Sequence, residues 1–357
     1  MNRILVIKLR YIGDVLLATP VLHALRDRFP DARLTMLVNR GTENILKWNP
    51  DVDEVLTVDR GTFAAQLRLV GALRRRHFDC VLDLTDGDRS SILARLTGAP
   101  VRIGFNEERR WRGLLYTSVV QPNALRHRVA RDLETVRALG IEPKASPLVL
   151  CTSSEDDKEA DRLLVEAGMG GASAGTRPLV LLHPGARYWF KAWPAERFAE
   201  LADRLTDACS CRVLIGGDAH DKPVAETIRA RARSAPAVLA GRTTLLQLAA
   251  LLKRCALFIG NDNGPMHMAA AVGTPIVALF GPSDPAEWGP VTSQAEILYK
   301  GLDCRRCFHP TCDRGEQSCM RQITVDEVFS AAQRFLEKVE VKVEAKEKTN
   351  SELPARS

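Results

Sequence analysis

A chain of 357 residues has room for two domains at roughly 150 residues each, which excludes a small module stapled by metal or disulfides. Its composition, 45% hydrophobic and 26% charged with 24 Gly and 19 Pro, is that of a globular protein and excludes a disordered or fibrous chain. Fifty Lys and Arg against 44 Asp and Glu leave +6, which suits an anionic substrate or a membrane surface and is too small to point to nucleic acid.

Short runs rich in Val, Ile and Leu alternate with helical periodicity, the pattern of βαβ units and parallel sheets covered on both faces. Strands are predicted near 4–9, 33–38, 54–58, 80–84 and 101–105, with helices near 15–28, 62–76, 89–97 and 127–139. These form one α/β domain, residues 1–168, which includes a charged helix over 155–167. A Gly/Ala/Ser-rich stretch follows, and 169–178 reads as a flexible linker. The pattern then restarts, with strands near 179–183, 212–216, 237–239, 257–261 and 275–280 and helices near 195–208, 220–232, 244–253 and 265–272. That is a second α/β domain, 179–323. Thr324 and Glu327 form a capping signature for a last helix over 324–339, and the charged tail 340–357 is expected to be disordered.

The longest run without charged residues, 263–283, contains Pro265, Gly273, Pro275 and Pro282 and cannot be a continuous membrane-spanning helix. Lys8, Arg10 and Asp14 interrupt the apolar N-terminus before a signal-type region forms, and nine mostly scattered cysteines suit reduced thiols, so a cytoplasmic protein is expected.

In open parallel sheets ligands bind at loops following the carboxyl ends of strands, here expected to line a cleft between the two sheets. Lys8-Leu9-Arg10-Tyr11-Ile12-Gly13-Asp14 follows the first strand. With one glycine it is no dinucleotide fingerprint, which disfavours a Rossmann dehydrogenase. Asp14 is either a helix cap or a carboxylate placed to take a proton from an acceptor hydroxyl. In the loop from His183 to Pro194, Arg187 and Lys191 suit a phosphate clamp, the alternative being solvated charge over a packed Trp193. In Gly260-Asn261-Asp262-Asn263-Gly264-Pro265-Met266-His267, small residues and a helix N-terminus suit a diphosphate; alternatively Asp262 or Asn263 only caps the helix and His267 is a core histidine.

Asp218 and Asp221 end a strand where an acid could bond ribose hydroxyls, or are plain helix-start acids. Two D-x-D patterns could hold a divalent metal; Asp51/Asp53 reads as a solvated turn, whereas Asp86/Asp88 follows a strand and could meet substrate. Cys304, Cys307, Cys312 and Cys319 are enough thiols for tetrahedral zinc, but with a single C-x2-C pair they read as buried reduced cysteines packing a loop, and no metal is assigned.

Three features resemble the ADP-heptose:lipopolysaccharide heptosyltransferases, glycosyltransferase family 9: K-L-R-x-x-G-D-V-L-L at 8–17, H-P-G-A-R…K-x-W-P at 183–194, and G-N-D-N-G-P-M-H at 260–267 followed by G-P-S-D-P. The resemblance runs over residues 3–335. It implies a GT-B fold of two Rossmann-like domains, donor in the C-terminal half and acceptor in the N-terminal half, and an inverting transfer of heptose from ADP-heptose to the inner core. Asp14 matches the general base. Arg187 and Lys191 match the donor-phosphate cations, Asp262, Asn263, Gly264 and His267 the diphosphate turn, and Asp221 the ribose ligand. The start looks most like heptosyltransferase III, which adds the branch heptose. Lys8, Arg10, Asp86, Arg89, Arg109 and Arg126 are expected on the acceptor side, with Arg102, Arg110, Arg112 and Arg128 as further cations there.

Gly185-Ala186 stand where type I relatives carry a threonine pair, and Asp83-Leu84-Thr85-Asp86 with Arg89 replaces D-x-Q-G with a lysine, so the acceptor is the less defined partner. No cofactor is implied beyond the donor. With no membrane-spanning helix, an enzyme of a lipid-borne acceptor would work as a peripheral protein on the inner leaflet of the inner membrane. The alternatives are heptosyltransferase I or II, another nucleotide-sugar transferase of this architecture, or a non-catalytic sugar- or nucleotide-binding module; the latter needs no base such as Asp14.

Overall fold

Apolar runs bounded by turn residues form two wholly parallel sheets in the computed structural model, which describes residues 1–59, 61–121, 127–170, 177–304, 307 and 312–351, the last thirteen as backbone only. Contacts divide the chain into two units, Met1–Thr152 with Ala286–Val291, and Ser153–Pro285 with Thr292–Ser357.

The first unit runs β1 (Arg3–Lys8), α1 (Ile12–Leu17), α2 (Thr19–Arg28), β2 (Arg33–Asn39), β3 (Glu54–Val58), α3 (Phe63–Arg74), β4 (Cys80–Asp83), α4 (Asp88–Leu96), β5 (Val101–Phe105), β6 (Ser118–Val120) and α5 (Arg128–Arg137). Its strands lie in the order β3-β2-β1-β4-β5-β6. The order reverses between β1 and β4, so the loops after these two strands border the crevice where such sheets bind ligands. The helix expected over 15–28 breaks at Ala18, because Pro20 has no N–H to donate. The carbonyl of Leu16 is satisfied instead by the Thr19 hydroxyl at 2.8 Å. Strand β6, three residues long, was too short for periodicity to reveal.

The second unit runs α6 (Ser154–Glu166), β7 (Leu179–His183), α7 (Ala195–Cys209), β8 (Arg212–Ile215), α8 (Lys222–Arg231), β9 (Ala237–Val238), α9 (Leu245–Leu252), β10 (Leu257–Asn261), α10 (Gly264–Val272), β11 (Ile276–Phe280), β12 (Ala295–Tyr299), α12 (Cys319–Gln322) and α13 (Val325–Ser351), while the short α11 (Pro285–Trp288) between β11 and β12 falls in the first unit from Ala286 on. Its order, β12-β11-β10-β7-β8-β9, repeats the topology of the first, with the reversal between β7 and β10.

Three boundaries differ from the sequence expectation. Helix α6 belongs to the second unit rather than to 1–168, because Arg254 binds its Asp157 (3.2 Å) and Asp161 (2.5 Å) and it packs on α9. Residues 286–291, expected in the second domain, pack on the first: the Trp288 ring lies 4.4 Å from the Arg128 guanidinium and Glu287 pairs with Arg128. Helix α13 continues to Ser351, past the end expected at 339, because the charged tail keeps good helix formers and has no Gly or Pro before Pro354. Of the predicted linker, 171–176 lie outside the described residues. Among the described residues no helix is long and apolar enough to cross a membrane.

Behind the β1–β4 reversal lies a buried ionic network. Lys8, 3% exposed, donates to Asp132 at 2.5 Å and to the Leu84 carbonyl at 3.1 Å. Arg131 joins Asp132 (3.3 Å) to Asp86 (3.3 Å), and Arg112 binds the other Asp86 oxygen at 2.8 Å. Removing one member leaves a buried charge uncompensated. Lys8→Met should therefore destabilise the first unit by about 3–5 kcal/mol, while Lys8→Met/Asp132→Met should recover at least about half of that in denaturant unfolding; equal losses in both variants would contradict the pairing.

Candidate functional site

In the first unit the loop after β1 turns directly into α1. Asp14 is the third residue of that helix and is half-buried; its Oδ2 accepts the Tyr11 N–H at 3.3 Å. The N-cap position weighed for Asp14 is held by Tyr11; Asp14 bonds back to that cap from inside the helix, with one long bond to a single oxygen. Earlier on the same loop, Leu9 and Arg10 line, with Asn39, Asp59, Thr85 and Arg89, a cavity of about 490 Å³. Arg10 forks onto the Thr85 carbonyl (3.0 and 3.3 Å), and Arg89 binds the Asp59 carbonyl and the Gln66 side chain.

Other expected acceptor residues are placed differently. Lys8 is sealed in the ionic network and cannot meet a ligand. Asp86 sits in the left-handed region at φ 55°, with both carboxylate oxygens taken by Arg112 and Arg131, so it orients two arginines instead of facing substrate. Arg112 is buried with it. Arg102 is the second residue of β5, near the strand's amino end and away from the carboxyl-end loops, and donates to the carbonyls of Ala99 (2.5 Å) and Leu115 (2.9 Å). Arg128 is paired with Glu287, and Arg110 with Glu108 at 3.2 Å. Arg109 is exposed, and Arg126 lies outside the described residues. Of the pair expected as a solvated turn, Asp53 is exposed, though it accepts the Leu34 N–H and Arg26, each at 2.7 Å, whereas Asp51 is buried against His23 (3.1 Å). Burial pushes the Asp53 carboxyl up, but those bonds and the Arg26 and Arg33 charges outweigh it and hold it below the usual range.

In the second unit three loops meet at the carboxyl ends of β7, β8 and β10. Asn261, fully buried at the end of β10, receives the Trp193 N–H on its Oδ1 (3.1 Å) and donates from Nδ2 to the Pro184 carbonyl (2.8 Å). Asn263 caps α10 by accepting the Met266 N–H (3.1 Å), while its Nδ2 donates to the Gly185 carbonyl (2.8 Å) and faces His183 Nδ1 (3.0 Å). Sequence reasoning assigned no role to Asn261 or His183, since both act by tying together segments almost 80 residues apart.

Lys191 meets Asp262 at 2.5 Å, its side chain partly exposed and that of Asp262 nearly buried. Arg187 is exposed over the Tyr188 ring, 5.8 Å from its centroid. Asp221 precedes α8 and accepts the Asp218 N–H (3.1 Å); a Cβ on Gly185 would overlap its carboxylate, so the two loops touch only because residue 185 is glycine. Gly264 opens α10 and His267 is buried one turn on. The expectation of a row of bare N–H groups at this helix start is trimmed: Pro265 has none and the Met266 N–H is used by Asn263. Positive charge here comes from Lys191 and Arg187 together with the helix end.

The cysteine cluster is not the buried loop packing expected of it. Cys304 is exposed and Cys307, Cys312 and Cys319 are half-buried, all as free thiols. Among the described residues no three His, Cys, Asp or Glu are arranged to hold a metal.

The family model for glycosyltransferase family 9 (heptosyltransferase) matches residues 66–317. The chain belongs to this family. It is 30% identical to lipopolysaccharide heptosyltransferase 3 of Escherichia coli (strain K12) over 338 residues, covering 92% of this chain and 96% of that one. Among solved structures it is similar to a family 9 glycosyl transferase from Veillonella parvula, with TM-score 0.82 and 27% identity over 94% of this chain and 97% of that chain. The E. coli ADP-heptose lps heptosyltransferase II gives TM-score 0.77 and 26% identity over 95% and 100%. The protein is thus a glycosyltransferase of family 9, and its two Rossmann-like sheets are those of the GT-B architecture.

Two predictions follow from how this glycosyltransferase anchors its second-unit loops. Gly185→Ala should force the Asp221 loop away and destabilise the second unit by about 1–3 kcal/mol in denaturant unfolding; no change would contradict the close approach. Burial pushes the His183 imidazole below its ordinary value near 6.5, against the opposing charge of Asp221, so the folded protein holds it neutral. Its contribution to stability is complete above about pH 6.5, the unfolded value, and is lost as pH falls through the depressed folded value. Unfolding of native protein and His183→Gln followed from pH 7.5 to 5 should show a steeper acid loss in the native protein, whereas parallel curves would contradict it.

Proposed function

We propose that the protein transfers L-glycero-D-manno-heptose from ADP-heptose, with inversion, to a hydroxyl of the lipopolysaccharide inner core, and that it adds the branch heptose. The observation that carries this reading is the 30% identity to a lipopolysaccharide heptosyltransferase 3 along 92% of the chain. It is supported by a carboxylate at the first reversal and a cationic site at the second.

In this reaction Asp14 takes the proton of the acceptor hydroxyl. The freed oxygen bonds to the anomeric carbon from the face opposite ADP, and the bond to the diphosphate oxygen breaks, its electron pair leaving with ADP. Lys191 and Arg187 stabilise the charge that gathers on the leaving diphosphate, the term that usually contributes most to such catalysis. Asp262 holds the Lys191 ammonium in place until the diphosphate shares it. Asn263 and Gly264 shape the diphosphate turn, His267 packs beneath it, and Asp221 bonds the ribose. A single base suffices because ADP, unlike the leaving group of a hydrolase, needs no general acid. Arg10 and Arg89 at the first-unit cavity, with Arg109 and Arg126 outside it, meet the anionic acceptor. No cofactor besides the donor enters the reaction. Because the acceptor is lipid-borne, the enzyme works from the cytoplasm as a peripheral protein of the inner membrane.

A positioned base contributes about 10²–10⁴ in rate. Asp14→Asn should lower kcat by that range with ADP affinity nearly unchanged by calorimetry; an equal loss of ADP binding would mean a purely structural cap. Mass spectrometry of lipopolysaccharide from a strain lacking the gene should show loss of one branch heptose, while truncation of the whole inner core would assign transfer of a main-chain heptose instead.

A further inference from the structure

Half of the large apolar side chains exposed among the described residues lie on three adjoining elements of the first unit. Of twelve such residues, six are Phe63 and Leu67 on α3, Ile92 and Leu96 on α4, and Trp111 and Leu114 on the one-turn helix Trp111–Leu115. Phe63 is 78% exposed and Leu114 87%. Helix α3 packs beside α4, and α4 beside the Trp111–Leu115 turn. The inner sides of the two helices, with Leu69, Val70 and Leu73 on α3 and Leu93 and Ala94 on α4, share one core cluster with Leu5, Ile7 and Val81 of the sheet and with Tyr116, the residue after the turn. All three elements therefore cover the same sheet face. In each helix the exposed pair is spaced four apart, so it forms an outward stripe separate from the residues that hold the helix down.

The charge around this face is one-sided. Residues 61–78 contain four arginines and no acid. Arg68, Arg74 and Arg75 on or just after α3, and Arg95 on α4, are exposed. The nearby acids are held in ion pairs, Glu54 with Arg76, Asp59 with Arg40, and Asp88 and Glu108 with Arg110 and Arg112. Scattered exposed apolar residues need no explanation, but an apolar stripe with cations beside it has the composition of a helix that lies in a lipid interface and meets anionic headgroups. A water-facing role accounts for the arginines but not for Phe63 and Leu114, and a protein partner reading apolar area alone would not need the cations.

We infer that α3, α4 and the Trp111–Leu115 turn form a docking surface for an anionic lipid bilayer. The apolar side chains enter the headgroup region and Arg68, Arg74, Arg75 and Arg95 meet lipid phosphates. The inference extends the membrane association within the proposed function by naming the surface responsible. The location also fits a lipid-borne substrate: Gln66, in the first turn of α3 between Phe63 and Leu67, binds Arg89 of the 490 Å³ cavity at 3.1 Å, so the stripe begins beside the cavity.

The test is co-sedimentation of the full-length protein with phosphatidylcholine vesicles, with and without phosphatidylglycerol. Native protein should bind the anionic vesicles, weakly or not at all the neutral ones, and less as salt rises. Phe63→Ser/Leu67→Ser, with both sites on the surface, should fold normally and weaken that binding at least about ten-fold; Arg74→Glu/Arg75→Glu should weaken it with a reduced salt dependence. Turnover on a soluble, delipidated acceptor should be the same for native protein and Phe63→Ser/Leu67→Ser, whereas turnover on vesicle-borne acceptor falls in the variant. Equal vesicle binding by native and variant proteins, no binding by either, or a concentration-dependent dimer that the serine variant abolishes would overturn the assignment. Vesicle binding that follows the variants in a protein that transfers no heptose would leave this surface standing and count against the proposed reaction alone.

Discussion

A buried charge or amide is costly unless every polar atom finds a partner, and each unit of this protein places such a group at its strand reversal, the place where open parallel sheets bind ligands. In the first unit it is the Lys8 ammonium, held between Asp132 and the Leu84 carbonyl. In the second it is the Asn261 carboxamide, held between the Trp193 N–H and the Pro184 carbonyl. Each sits at the last position of a central strand, and each ties that strand end to a distant segment. Lys8 thus fixes the root of the loop that leads to Asp14, and Asn261 binds both ends, Pro184 and Trp193, of the loop that carries Arg187 and Lys191.

Polar partnership also explains why the second-unit loops combine small residues with acids. Gly185 permits contact with Asp221, and the Asn263 side chain bridges the helix α10 start and the Gly185 carbonyl. Lys191 is not a mobile surface cation; Asp262 sets its ammonium beside the start of α10. A cation already positioned loses less freedom when an anion arrives, which is the physical content of a preorganised diphosphate site.

The fold was legible because its signal is repetitive: ten of the twelve strands among the described residues follow from apolar runs, and the two missed, β6 and β12, are edge strands of their sheets. The helix break at Ala18 was also legible in principle, since Pro20 announces it. Of the candidate site, the placement was legible where motifs follow strands: Asp14 lies on the first turn after β1, and Arg187 and Lys191 on the loop after β7. It was not legible where a residue's role is set by a partner far along the chain. Lys8 reads as a loop cation until Asp132, 124 residues on, neutralises it, and Asp86 reads as an open carboxylate until Arg112 and Arg131 close on it. Asp51 reads as a solvated turn residue until His23, 28 residues earlier, closes on it. The boundary near residue 168 followed the glycine-rich composition, whereas the true division is set by the ion pairs that α6 makes with Arg254.

The central claim is that this glycosyltransferase moves heptose from an ADP-linked donor onto lipopolysaccharide core. It is tested most directly by incubating the purified protein with ADP-heptose and core lipopolysaccharide from a strain lacking the branch heptose, and weighing the product by mass spectrometry. The account predicts a gain of one heptose residue with ADP released in equal amount, and no such gain from UDP-sugars. Release of ADP with no change in acceptor mass, or transfer from a UDP-sugar instead, would contradict it.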